Sequence, residues 1–148
     1  MRRVFIDSDI ILDILMAREP YYTHSAQFFT LIEVGEIQGH VSPLIFANLH
    51  YVLRRIKSSE DVVALLRKLR VVVQILTINE RIIDLALSSY FEDFEDAIQY
   101  YTAIENDMDC IITRNKSDYK KSKIPVYTAE EYLDIKVKNV PPEEYDQI

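Results

Sequence analysis

Short β-branched runs alternating with longer helical stretches restrict this chain more than any other feature of its sequence. Val4-Phe5-Ile6, His40-Val41, the run 71–76, the run 109–113 and Pro125-Val126-Tyr127 have the composition of strands. Between them, apolar spacing predicts helices over roughly 10–16, 23–36, 43–56, 59–69, 79–90 and 94–107. Several boundaries are marked. Gly35 and Gly39 are expected to close the second helix. Ser42-Pro43 is an N-cap serine with proline at the first helical position, and the helix behind it is expected to bury Ile45, Leu49, Val52, Leu53 and Ile56. Asn79 caps another helix, and Thr128-Ala129-Glu130-Glu131 is a capping box for a short last one. Strands separated by helices imply a mostly parallel sheet covered on both faces. In such sheets ligands bind beyond the carboxyl ends of the strands.

With 148 residues and 49% apolar side chains the chain can build one core. It reads as a single domain over 1–135, followed by a polar extension over 136–148 that contains Pro141-Pro142-Glu143-Glu144. No run approaches the roughly 18 consecutive apolar residues of a membrane span. The start, Met1 to Asp7, has no small-residue cleavage site, so no secretory signal is expected and a cytoplasmic location follows. A single cysteine, Cys110, excludes an internal disulfide and a cysteine-rich zinc site, and suits a reducing compartment. Only two glycines occur, so no glycine-rich phosphate loop can form and nucleotide-dependent kinase, ATPase and dehydrogenase readings fall. His24, His40 and His50 lie far apart and read as surface or packing residues. The net charge of −7 should repel nucleic acid at long range, unless the acids gather where a cation restores the balance.

Three stretches carry that charge pattern. Asp7 directly follows the first strand, with Asp9 and Asp13 soon after; Asp7 or Ser8 would also serve as an ordinary helix cap, and Asp13 as a solvated or ion-paired acid. Glu92, Asp93, Glu95 and Asp96 place four carboxylates in six residues where a helix begins. Asp93 with Asp96 resembles a capping arrangement, yet four like charges exceed what capping needs. The third stretch follows the fourth strand: Arg114, Lys116, Lys120, Lys121 and Lys123 surround Asp118, a net +4 over 114–123. A basic lip beside an acidic pocket suits a phosphate backbone delivered to a metal; a plain basic surface loop has the same composition. The strands ending at Asp7 and Thr113 are expected to be neighbours, which would bring the acids together. Aspartates without His or Cys specify a hard cation, Mg²⁺ or Mn²⁺. Tyr100, one turn after Asp96, offers a ring for stacking on a base, though a helix-surface tyrosine is the plainer reading.

The Phe-Ile-Asp-Ser-Asp start, the run Phe-Glu-Asp-Ala-Ile-Gln-Tyr-Tyr-Thr-Ala of 94–103, and Ile-Ile-Thr-Arg-Asn-Lys-Ser-Asp-Tyr of 111–119 resemble the PIN-domain family. Ile-Pro-Val-Tyr-Thr-Ala-Glu-Glu-Tyr-Leu of 124–133 fits the family's ending, so the resemblance spans about residues 3–134. It implies a three-layer α/β/α domain around a five-stranded, mostly parallel sheet, and Mg²⁺- or Mn²⁺-dependent cleavage of RNA. Members of this size are often VapC-like toxins that dimerise and are silenced by a protein antitoxin. The resemblance assigns catalytic and metal-site roles to Asp7, Asp96 and Asp118, with Asp9, Asp93, Thr113 and Asn115 in support. Arg114, Lys116, Lys120 and Lys121 would hold the RNA backbone. Asn48 stands where the family usually carries a glutamate; helical spacing turns it toward the packed side, where its amide needs hydrogen bonds or a bound water. Two other readings remain at this level. One is a catalytically silent PIN-like module that binds RNA or protein. The other is a haloacid-dehalogenase-like phosphatase, which Asp7-Ser8-Asp9 after a strand echoes although Ile10-Ile11 replaces the expected small turn.

Overall fold

A computed structural model describes residues 1–138. Five strands form one all-parallel sheet: β1 (Arg2–Ile6), β2 (Ile37–Val41), β3 (Gln74–Ile75), β4 (Cys110–Ile112) and β5 (Val126–Tyr127), in the order β3-β2-β1-β4-β5. Among the described residues seven helices connect and follow them: α1 (Ser8–Leu15), α2 (Tyr22–Glu33), α3 (Pro43–Leu53), α4 (Ser59–Val72), α5 (Glu80–Leu87), α6 (Phe94–Glu105) and α7 (Ala129–Lys138). Successive strand residues point to opposite faces, and Val4, Phe5 and Ile6 are all fully buried, as are Cys110, Ile111 and Ile112. Both faces of the central strands are therefore covered, which is the three-layer arrangement the alternating pattern implies.

The expected caps at Ser42 and Asn79 form: Ser42 accepts from the Ile45 amide with Pro43 behind it, and Asn79 caps α5; Ser58 likewise caps α4. Ile45, Leu49 and Leu53 are buried as predicted, but α3 stops at Leu53, leaving Val52 half-buried and Ile56 exposed. The second strand is longer than the His40-Val41 pair, because Ile37 and Gln38 already pair with Arg2 and Arg3. Only Gly35, at a φ of +79°, belongs to the turn that ends α2. Gly39 lies inside β2, where a Cβ would stand 2.7 Å from the Ile32 side chain, so it sets how closely α2 approaches the sheet.

The largest correction concerns 71–76. The helix α4 continues to Val72, Val71 is exposed, and only Gln74–Ile75 pairs as an edge strand against His40 and Val41. A short β-branched run does not distinguish strand from helix by periodicity alone, and here the preceding helix propagates through it. A 3₁₀ turn at Lys116–Tyr119, unmarked in the sequence, follows β4. At the other end α7 continues to Lys138, past the position where a polar extension was expected to begin. Pro141-Pro142 and the rest of 139–148 lie outside the described residues. No helix of the described residues is long and apolar enough to cross a membrane.

Candidate active site

The strand order positions the site. From β1 the chain builds outward through β2 and β3 on one side, then crosses to build β4 and β5 on the other. Loops leaving β1 and β4 part company at this switch point and open a crevice beyond the strand ends. Asp7 and Thr113 are the residues that immediately follow those strands. Pairing of Ile6 with Ile112, extended by the Asp7 amide donating to the Ile112 carbonyl at 2.9 Å, sets them side by side.

Asp7 does two jobs. Its Oδ1 accepts from the Ser8 amide at 2.8 Å as the N-cap of α1, so the plain capping expectation is correct. Its Oδ2 accepts from the Thr113 hydroxyl at 3.0 Å and from the Tyr119 hydroxyl at 3.2 Å. Asp9, one residue into the helix, accepts at Oδ2 from the Arg114 amide at 3.0 Å and the Asn115 side-chain amide at 3.1 Å. Its Oδ1 is buried without a hydrogen-bond partner. Asn115 also donates its backbone amide to the Thr113 hydroxyl at 3.1 Å. Together these bonds tie the end of β4 to the start of α1.

The acidic run enters from α6. Asp93 is the N-cap, accepting from the Asp96 amide at 3.0 Å, so Asp93 is occupied with the helix end as the capping reading expects. Asp96 sits in the first turn, half-buried. A buried bond aligns the helix that carries it: the Ser42 hydroxyl donates to Gln99 Oε1 at 2.7 Å, joining α6 to the start of α3. Asn48, on α3, donates its amide to Glu95. The amide at the family's glutamate position thus finds a hydrogen bond, and it is half-buried rather than turned into the packed side.

Electrostatics show how close the acids come. Burial, then the charges of Asp118, Asp93, Asp7 and Glu95, pushes Asp96 up to about 7. Burial, then the Asp7 charge, raises Asp9 to about 7. Burial also raises Asp7, against hydrogen bonds from Ser8, Thr113 and Tyr119 that lower it, and Asp118 adds to the rise. The Tyr119 hydroxyl is pushed well above its usual range by burial and the same carboxylates, and therefore stays a donor. Asp7, Asp96 and Asp118 thus lie within electrostatic reach of one another although they come from β1, α6 and the turn after β4. Among the described residues no three His, Cys, Asp or Glu side chains are gathered into a ready ligand set. The donors suit a hard divalent cation all the same: they are carboxylate oxygens, Asp9 Oδ1 beside them is buried without a partner, and their mutual repulsion is what such an ion relieves.

The basic residues divide. Arg114 is turned inward to Asp13, with Nη2 donating to Oδ1 at 3.0 Å and Nε 3.0 Å from Oδ2. Asp13, expected to be solvated or ion-paired, is paired with both Arg114 and Arg18 and is fully buried. Lys116 is paired with Glu131 at 2.9 Å. Lys120 and Lys121 instead line a cleft of about 260 Å³ together with Tyr90, Asp93, Asp96 and Asp118. Tyr100 is not a surface residue: it is buried, and its hydroxyl accepts from the Lys123 amide at 2.9 Å. Sequence reading gives Tyr119 and Tyr90 no site role, and counts Glu95 only as one of four acids rather than as the partner of Asn48. Nothing local signals the Tyr119 contact, since its partner Asp7 is 112 residues away along the chain.

A sequence model of the PIN domain matches residues 3–117, most of the chain. The chain belongs to the PIN-domain family. That membership displaces the phosphatase alternative. Ribonuclease VapC1 of Aquifex aeolicus is 28% identical to this PIN domain over 140 residues, covering 89% of the chain and 94% of the relative. Solved structures share the fold. A toxin–antitoxin complex from Klebsiella pneumoniae aligns with a TM-score of 0.64 at 21% identity, over 85% of this PIN domain and 97% of that chain. The VapBC-1 structure from nontypeable Haemophilus influenzae aligns with a TM-score of 0.65 at 14% identity, over 86% of this PIN domain and 98% of that chain.

Proposed function

We propose that this PIN domain is a divalent-metal-dependent endoribonuclease, the toxin of a toxin–antitoxin pair, with RNA as substrate and a protein antitoxin as partner. The observation that carries the reading is that Asp7, Asp96 and Asp118 lie within electrostatic reach of one another at the switch point, with Asp96 raised to about 7 by burial and then by its acidic neighbours. A relative named as a ribonuclease and solved neighbours titled as toxin–antitoxin complexes support it. Asp7, Asp96 and Asp118 would hold Mg²⁺ or Mn²⁺, and Asp9 with its unpartnered oxygen stands beside them. When bound, such a cation supplies Lewis-acid stabilisation of a phosphoryl oxygen and a lowered water pKa. The chain's own residues do the rest. Lys120 and Lys121 hold backbone phosphates at the mouth of the cleft, which offsets the net negative charge where RNA must approach. Hydrogen bonds from Ser8, Thr113 and Tyr119 keep the Asp7 carboxylate in one orientation, so little reorganisation is needed at the moment of reaction. Asn115 and the Arg114 amide do the same for Asp9.

The test is cleavage of a structured RNA by purified protein in Mn²⁺. Asp7→Asn should abolish it, and persistence of Mn²⁺-dependent cleavage in that variant ends the assignment. The amide at position 48 favours one second reading, a catalytically silent binding module. Thermal stabilisation by Mn²⁺ with no cleavage of any RNA by the unaltered protein would support that module instead.

A further inference from the structure

Tyr90 has the most exposed ring of the large hydrophobic side chains described, at 89%. The residues on either side of it are anchored. Next to it Phe91 packs inward, its ring 5.2 Å from Tyr100 and 6.3 Å from Tyr101. On the other side the Ser89 hydroxyl donates to the Ala86 carbonyl at 2.7 Å and accepts from the Phe91 amide at 3.4 Å. Phe91 is thus held in and Tyr90 held out. The Lys121 ammonium lies 5.3 Å from the centre of the Tyr90 ring, and both residues line the same cleft as Asp96 and Asp118. An aromatic ring kept in water, next to a cation and lining the same cleft as the carboxylates, has the chemistry of a stacking platform: every base offers a π-face, and its phosphate meets the cation.

We propose that Tyr90, with Lys121, forms a nucleobase subsite that seats a base of single-stranded RNA beside the carboxylate cluster. Tyr90 is a specificity-determining residue rather than a catalytic one. The subsite takes the place that Tyr100, now found buried, cannot fill. This inference rests on reading the cleft as the RNA site, and the experiment separates the two.

Full-length protein is titrated with a 5′-labelled uridine hexamer and with the same hexamer lacking its bases, in Ca²⁺ in place of Mn²⁺, and binding is followed by anisotropy. Tyr90→Ala should weaken binding of the base-bearing hexamer by about 5- to 150-fold, the range for loss of one aromatic stack. Tyr90→Phe should bind like the unaltered protein, and all three should bind the abasic hexamer alike. The chain has no tryptophan, so Tyr90→Trp supplies a lone indole whose emission the base-bearing hexamer should quench. Equal binding by Tyr90→Ala, no binding of the base-bearing hexamer by the unaltered protein, or an unquenched indole overturns the subsite. Quenching by an arginine-rich peptide but not by RNA assigns the ring to a protein partner and overturns it as well. If base-dependent binding holds while the unaltered protein cleaves no RNA in Mn²⁺, the subsite stands and the nuclease reading fails. Cleavage with an unchanged KM in Tyr90→Ala gives the reverse.

Discussion

Replacing Asp96 by asparagine should make the metal-free protein more stable while removing its response to metal. Each pH unit of displacement is worth about 1.4 kcal/mol, so raising Asp96 from 3.8 to about 7 carries a ceiling of about 4 kcal/mol. Asp96 is half-exposed, and solvent screening reduces that to about 1–2 kcal/mol. Against this, a carboxylate in the first turn of α6 interacts favourably with the helix dipole, a loss of about 0.5 kcal/mol on removing its charge. Burial and repulsion together outweigh the dipole, and Asp96→Asn gains about 1 kcal/mol, or roughly 3 °C in thermal midpoint for a chain of this size. The sign follows from proton binding. Between about pH 4 and 7 the folded protein holds the Asp96 proton that the unfolded chain has lost, so its stability falls as pH rises through that window. Asparagine does not titrate. The advantage of the variant should therefore be near zero below pH 4, grow through the window, and level off above about pH 7. The assay is thermal unfolding by circular dichroism in EDTA from pH 4 to 8, repeated with Mn²⁺. Mn²⁺ should raise the midpoint of the unaltered protein at pH 8 far more than that of Asp96→Asn. A variant that is equally or less stable at pH 8 in EDTA, with an unchanged spectrum, would refute the idea that burial and the neighbouring carboxylates penalise the Asp96 charge.

Two other outcomes test the framework around the site. Arg114→Met leaves the fully buried Asp13 with Arg18 alone and should cost about 2–3 kcal/mol in urea unfolding, below the full cost of orphaning a buried charge because one partner stays. Ser42→Ala removes both the α3 cap and the donor to buried Gln99, and about 2 kcal/mol should be lost in the same measurement.

Much of this molecule is written in local chemistry. The caps at Ser42, Ser58 and Asn79 need only the residues beside them, and each forms as its sequence implies. Asp7 follows a strand in any fold that pairs Val4-Phe5-Ile6, and its place beyond the strand end follows from the same few residues. The run 71–76 was ambiguous because a β-branched trio satisfies helix and strand alike, and only the helix before it and the strand beside it decide between them.

The sequence by itself determined the alternation of elements, the parallel sheet, and which residue types were available to make a carboxylate site. Tertiary structure alone decided which of them meet. Crossing from β3 to β4 sets Thr113 against Asp7 and brings the Tyr119 hydroxyl to the same carboxylate. It turns Arg114 and Lys116 into ion pairs and leaves Lys120 and Lys121 at the cleft. It buries Tyr100 and exposes Tyr90. The physical reason is range: caps and periodicity act over a few neighbouring residues, whereas charge, desolvation and side-chain pairing depend on distances that the chain acquires only when the sheet closes.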